Sequence, residues 1–157
     1  MKQIILFASI SFASGLLFTN LYNSLIDTKS WGSNIPESIG VARNYFKIVN
    51  PGNFYRVFSP LNQLLAFVAL ILFWKAGSPI RLTLATTLAF YVLADVLTFA
   101  YFYPRNEIMF IKAQLTDVDL LKKTWSQWNA MNWVRTAIIF TGLCVSFFSL
   151  HRIYTLK

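Results

Sequence analysis

Two ionisable residues, Asp95 and Arg135, sit inside long apolar stretches, and eight further polar residues lie near the same ends of those stretches. Four apolar segments run over about residues 3–25, 60–75, 80–102 and 130–151. Asn20 and Asn23 close the first, and Asn62 and Gln63 open the second. Asp95, Asn106 and Glu107 close the third, while Asn129, Asn132 and Arg135 open the fourth. Antiparallel threading brings all of these ends to one side, in a single thin layer. The opposite halves, such as Ile4–Phe18, Leu64–Trp74 and Ala137–Phe148, contain almost nothing ionisable. A charged group deep in a bilayer costs roughly 2.5–3.5 kcal/mol on insertion scales, so it faces a bundle interior and serves a purpose. The layer is therefore the candidate functional region.

The chemistry such a layer offers is proton transfer beside a fixed cation. A buried carboxylate, Asp95 or Glu107, is a suitable base near neutral pH. Arg135, with Asn132 and Asn106, would stabilise the negative charge that proton removal leaves. Trp128, Asn132 and Arg135 are spaced i, i+4, i+7, which places them on one helix stripe. Arg135 lies about a turn and a half into its span and Asp95 about two turns before the end of its own. That similar depth leads us to expect the two to interact, directly or through Asn106 or Asn132. Thr87, Tyr91, Asp95 and Thr98 share a face too polar for lipid, which should line the interior. Asn20, Asn62, Tyr91 and Trp128 are the candidate substrate-binding residues. Trp31, Tyr45, Tyr55, Tyr101, Tyr103, Trp125, Trp128 and Trp133 cluster near the layer. Most fit an interfacial belt, and the rest would line a pocket for a flat apolar ligand. Against a catalytic role stands a structural one, since polar residues also join membrane helices at about 0.6 kcal/mol per hydrogen bond.

Composition supports a membrane setting. Of 157 residues, 56% are hydrophobic and 13% charged, with a mean hydropathy of +0.52. Soluble domains carry about a quarter charged residues. The length fits one membrane domain over 1–157. The net charge of +8 comes from scattered basic residues, with no run longer than Lys122–Lys123. Anionic lipid head groups, not nucleic acid, are its expected counterpart. Cys144 is the only cysteine, which excludes dithiol chemistry, and reads as a small core residue. His151 is the only histidine. No residue set has metal-ligand spacing, no histidine pair could hold a haem, and there is no Gly-rich phosphate loop or serine–histidine arrangement. We therefore expect no metal and no cofactor.

Only helices or closed barrels span lipid, and these apolar runs are continuous, not alternating. The fold class expected is all-α: a transmembrane four-helix bundle with a small helical cap on one side. Gly77-Ser78-Pro79 makes the second and third spans a hairpin. In the connection over 26–59, Asn34-Ile35-Pro36-Glu37 reads as a helix start with an Asx cap. The helix from there through Phe46 places Ile39, Ala42 and Phe46 on one face, and Asn50-Pro51-Gly52-Asn53 stops it. In the connection over 103–129, Pro104 ends or kinks the third span, and Ile108, Ile111 and Leu115 form an apolar stripe. Thr116-Asp117-Val118-Asp119 starts a helix that meets no breaker before Tyr154. At 1.5 Å per residue it is about 57 Å long, against about 30 Å of hydrocarbon, so it projects into the cap. Leu120, Leu121 and Trp125 then pack against the connections.

Lys2, Lys75, Arg81, Arg152 and Lys157 flank the side without the cap, and eight basic residues lie on the cap side. That count formally puts the cap in the cytoplasm. The turn and tails of the first side are short and purely basic, however. On that ground we expect a multi-pass protein of the cell (inner) membrane with cytoplasmic termini and the cap outside.

Trp125-Ser126-Gln127-Trp128-Asn129-Ala130-Met131-Asn132-Trp133-Val134-Arg135 enters an apolar helix, and Pro104-Arg105-Asn106 comes just after the third span. With four spans in about 150 residues, these motifs resemble the anthrone-oxygenase-like family of small membrane proteins. Some members are linked to cofactor-free oxidation of anthrones to anthraquinones. The resemblance implies a hydrophobic phenolic or quinone-like substrate and carries over Asn106, Trp128, Asn132 and Arg135. Arg105 stands where many relatives have a small apolar residue. No histidine lies near Asn132, which weakens any mechanism with a histidine base. The alternative is an accessory protein whose cap docks a membrane protein partner or a second copy, the polar layer only specifying helix packing.

Overall fold

The computed structural model describes residues 2–155; Lys157, one of the basic flanking residues, lies outside them. Five helices form, α1 (Lys2–Trp31), α2 (Glu37–Tyr45), α3 (Pro51–Leu72), α4 (Ser78–Lys112) and α5 (Val118–Thr155), with no strand among the described residues. All but α2 are long and apolar enough to cross a membrane. Neighbouring contacts run α1–α3, α3–α4, α4–α5 and α5–α1, closing a four-helix ring with α2 capping one end.

Besides α5, which projects as expected, the other three long helices also extend beyond the apolar runs. Helix α3 begins at Pro51, not Pro60. Asn50 Oδ1 accepts from Gly52 N at 2.9 Å, and Asn53 Oδ1 accepts from Asn50 N at 3.0 Å, a reciprocal cap around a first-turn proline. The segment expected to stop the preceding helix therefore also starts this one. Pro60 remains inside the helix, where it removes one backbone donor. Helix α1 continues to Trp31 through a π turn at Asn23–Asp27. Helix α4 continues to Lys112 through π turns at Thr98–Phe102 and Ile108–Lys112, and Pro104 lies just past the first of them. Each π turn adds a residue to its turn and shifts the register of the helix beyond it. That shift corrects the expected stripe: Phe102, Met109 and Ala113 face inward, while Ile111 is 76% exposed. The Asx cap at Asn34 is also corrected. Helix α2 starts after Pro36 without a side-chain cap, and Ser38 Oγ accepts from Asn34 N and donates to Trp31 O.

The bundle interior packs on small residues, Ala13, Ala66, Ala69 and Gly142, between Leu6, Ile10, Leu84, Tyr91 and Leu143. Such residues let membrane helices approach closely. A second core under the cap joins Trp31, Ile39, Ala42, Phe102, Met109, Leu121 and Trp128, with Phe46 packed against it. Trp125 Nε1 donates to Thr28 O at 2.8 Å, and its ring lies on Gly32, where a side chain would collide. Arg43 ties α2 to the end of α4. Its Nε donates to Met109 O at 2.9 Å and its Nη2 to Ala113 O at 2.8 Å, satisfying one carbonyl of the last turn and one just past its end. Outward, Ile4, Phe18, Leu64, Leu82, Phe99 and Phe140 are exposed, the surface of a membrane protein in contact with lipid. Cys144 is exposed on that outer face and is not the core residue expected, because the inward positions around it fall to Gly142, Leu143 and Ser146.

Two glycines separate close approach from open space. A Cβ on Gly142 would meet Phe90 Cβ and Tyr91 Cε1 at 2.9 Å, whereas one on Gly15 meets nothing within 4 Å. Gly142→Leu is expected to destabilise by about 1–3 kcal/mol. Gly15→Ala should be neutral or stabilising by about 0.5–1 kcal/mol. Thermal unfolding of both variants in one detergent checks the contrast.

Candidate functional site

The long α5 carries the stripe read from the sequence. Trp128, Asn132 and Arg135 are all buried, Asn132 completely and Arg135 at 6% exposure. Arg135 lies over the Phe102 ring at 4.2 Å and near the Tyr55 and Trp128 rings at 5.5 and 5.9 Å. Its Nη2 donates to Asn132 Oδ1 at 2.6 Å and its Nη1 to Thr98 Oγ1 at 3.3 Å. Its Nε has no hydrogen-bond partner.

Asp95, on α4, is held from α3. Ser59 Oγ and Gln63 Nε2 donate to its two carboxylate oxygens, each at 2.6 Å. Asp95 and Arg135 thus reach similar depth, but the expected ion pair is not formed. Lys112–Glu107 is the only salt bridge among the described residues. Both side chains instead line one cavity of about 30 Å³, together with Leu16, Tyr55, Ser59, Asn62, Tyr91, Ala94, Thr98 and Ile139. Asp95, Ser59, Tyr55 and Thr98 are partly exposed, so the cavity is not sealed.

Around it, hydrogen bonds pass from helix to helix. Asn20 Nδ2 donates to Thr136 Oγ1 at 2.6 Å, and Asn132 Nδ2 to Ser24 Oγ at 2.6 Å, joining α1 to α5. Arg135 with Thr98 joins α5 to α4, and Asp95 with Ser59 and Gln63 joins α4 to α3. Asn23 Nδ2 to Tyr55 Oη at 3.3 Å, with Ser9 Oγ to Asn62 Oδ1 at 3.4 Å, returns from α3 to α1. The polar layer is a closed ring of hydrogen bonds around the bundle.

Four sequence candidates, Asp95, Arg135, Tyr91 and Asn62, line the cavity. Asn132 and Asn20 stand behind it, holding Arg135 and Thr136. Asn106 and Trp128 lie towards the cap, where Trp128 Nε1 donates to Asn106 Oδ1 at 2.8 Å and packs on Trp31 and Phe102. Glu107 is exposed and paired with Lys112 at 2.9 Å, away from the cavity lining. Sequence reasoning misses Ser59 and finds Tyr55 only as one of the aromatics. Starting α3 at Pro51 shows Tyr55, Ser59, Asn62 and Gln63 as one polar stripe at helical spacing.

The family model described as anthrone oxygenase matches residues 53–145, more than half of the chain. The chain belongs to the anthrone oxygenase family. The matched stretch carries Tyr55, Ser59, Asn62, Tyr91, Asp95, Thr98, Asn132 and Arg135, and leaves out the α1 residues of the ring. No curated protein and no solved structure matches the chain.

Asn132 accepts from Arg135 and donates to Ser24 while fully buried. Asn132→Leu strands both partners and is expected to cost about 1–3 kcal/mol. Asn50→Ser, at an exposed cap, should cost under about 1 kcal/mol. Thermal denaturation in detergent gives the order, and equal losses would contradict the central place of Asn132.

Proposed function

We propose that the protein is a cofactor-free oxygenase acting on a hydrophobic phenolic or quinone-like substrate that arrives from the bilayer. Asp95 takes a proton from an acidic carbon, and Arg135 stabilises the enolate as negative charge develops. The observation that carries this reading is the separation of the two charges. Ser59 and Gln63 hold the carboxylate while Asn132 and Thr98 hold the guanidinium, and both line one cavity. A direct ion pair would occupy each group with the other. Neutral partners orient them and leave a base and a cation available to a third molecule.

A cavity of about 30 Å³ admits one oxygen-sized group. Pockets for whole ligands run to about 300–1,000 Å³. The ring system therefore binds at the open mouth of the cavity, beside the partly exposed Ser59 and Asp95, or after α3 and α4 part there. We place the termini on the cytoplasmic face of the cell membrane, with the cap outside.

The hydrogen-bond ring itself supports a second reading. A layer that joins every helix to its neighbours is what a non-catalytic accessory protein would use to specify packing. The two readings separate on purified protein. The oxygenase reading expects anthrone to be converted to anthraquinone with consumption of dioxygen, Asp95→Asn losing at least about 100-fold in rate. Glu107→Gln should retain the activity, because that carboxylate lies outside the cavity. Absence of turnover, together with a stoichiometric partner retained through mild detergent, would favour the accessory reading.

A further inference from the structure

Arg135 is an unusual group to leave as the structure leaves it. It is buried beside the cavity, it has no carboxylate within ion-pairing distance, and its Nε has no partner. Its ring contacts and its Asn132 and Thr98 acceptors are all neutral. The space it borders is the size of a water or a diatomic molecule, and its lining includes the apolar Leu16, Ala94 and Ile139. Dioxygen is apolar, dissolves well in hydrocarbon and becomes anionic on accepting an electron. Resting on the oxygenase reading, we infer that this cavity is the dioxygen site and that Arg135 stabilises the superoxide formed there, the rings of the organic substrate lying outside it.

The steps balance. The Asp95 carboxylate takes a proton from the substrate carbon, leaving the electron pair as a carbanion. The carbanion passes one electron to dioxygen, giving a carbon radical and superoxide beside Arg135. The two couple to form a carbon–oxygen bond, and the peroxide oxygen takes the proton back from Asp95. Loss of the second hydrogen on that carbon breaks the oxygen–oxygen bond, releasing water and leaving a carbonyl. The carbon is oxidised, dioxygen is reduced, and no other oxidant is required.

The test fills the cavity without touching the charged groups. Ala94→Val and Ile139→Phe are expected to raise KM for dioxygen by about tenfold or more at unchanged KM for anthrone. Exchange of the anthrone methylene hydrogens with deuterated water under anaerobic conditions, which needs the base but not oxygen, should stay at the unsubstituted rate. Turnover and exchange with KM for dioxygen unchanged in a folded variant would overturn the dioxygen site alone. Neither exchange nor turnover in the unsubstituted protein would overturn the oxygenase reading and this inference together. A readout without variants uses the protein in bilayers under dioxygen pressure. The Ala94 and Ile139 methyl signals should broaden more than those of Ala13 and Ala69, which are fully enclosed in the bundle. Equal broadening would contradict the site.

Discussion

The fold depends on keeping one guanidinium comfortable inside hydrocarbon. Arg135 enters the bundle about a turn and a half past the cap, and the chain surrounds it with neutral acceptors and aromatic faces, not with a carboxylate. A cation over an aromatic ring gains about 0.5–2 kcal/mol, more when desolvated. Charge-assisted hydrogen bonds are about twice as strong as neutral ones. Together these offset a cost on the order of the insertion penalty for an arginine. Asn132 is central because it faces both ways, accepting from Arg135 and donating to Ser24 on α1.

From that point the constraint spreads. Once Asn132 is tied to α1, the neighbouring Thr136 accepts from Asn20, and Thr98 must lie on α4 where Arg135 can reach it. The π turn at Thr98–Phe102 begins at the residue that meets Arg135 and carries the ring beneath it. π turns are frequent at functional sites. The cap adds the second core, in which Trp31, Phe102 and Trp128 meet edge to face and close the end of the layer. The cap and the polar ring are thus on one side of the bundle, while close packing on alanine and glycine dominates the other.

Depth is legible in the sequence and azimuth is not. Counting residues from the helix ends puts Asp95 and Arg135 at one height, and the i, i+4, i+7 stripe puts Trp128, Asn132 and Arg135 on one buried face. Which neighbour each group chooses depends on helix rotation, and two neutral donors on α3 take the carboxylate. That choice is hidden when Pro60 is read as a helix start, which cuts Tyr55 and Ser59 out of the bundle. The reciprocal cap of Asn50 and Asn53 is the signal that restores them. The π turns have no visible signature beyond Pro104, so the inward stripe of late α4 differs from the one expected. Glu107 shares the layer in sequence but sits past the π turn, paired with Lys112.

The most direct test is a set of dipolar couplings measured by solid-state NMR on the protein in lipid bilayers. Side-chain 15N labels on Gln63 and Arg135 would be read against 13C labels on the Asp95 carboxylate and the Asn132 amide. Strong couplings from Gln63 to Asp95 and from Arg135 to Asn132 are predicted, matching the 2.6 Å contacts of each pair. A strong coupling from Arg135 to Asp95 at ion-pair distance, with the Gln63 coupling lost, would contradict a carboxylate and a guanidinium held apart across a shared cavity.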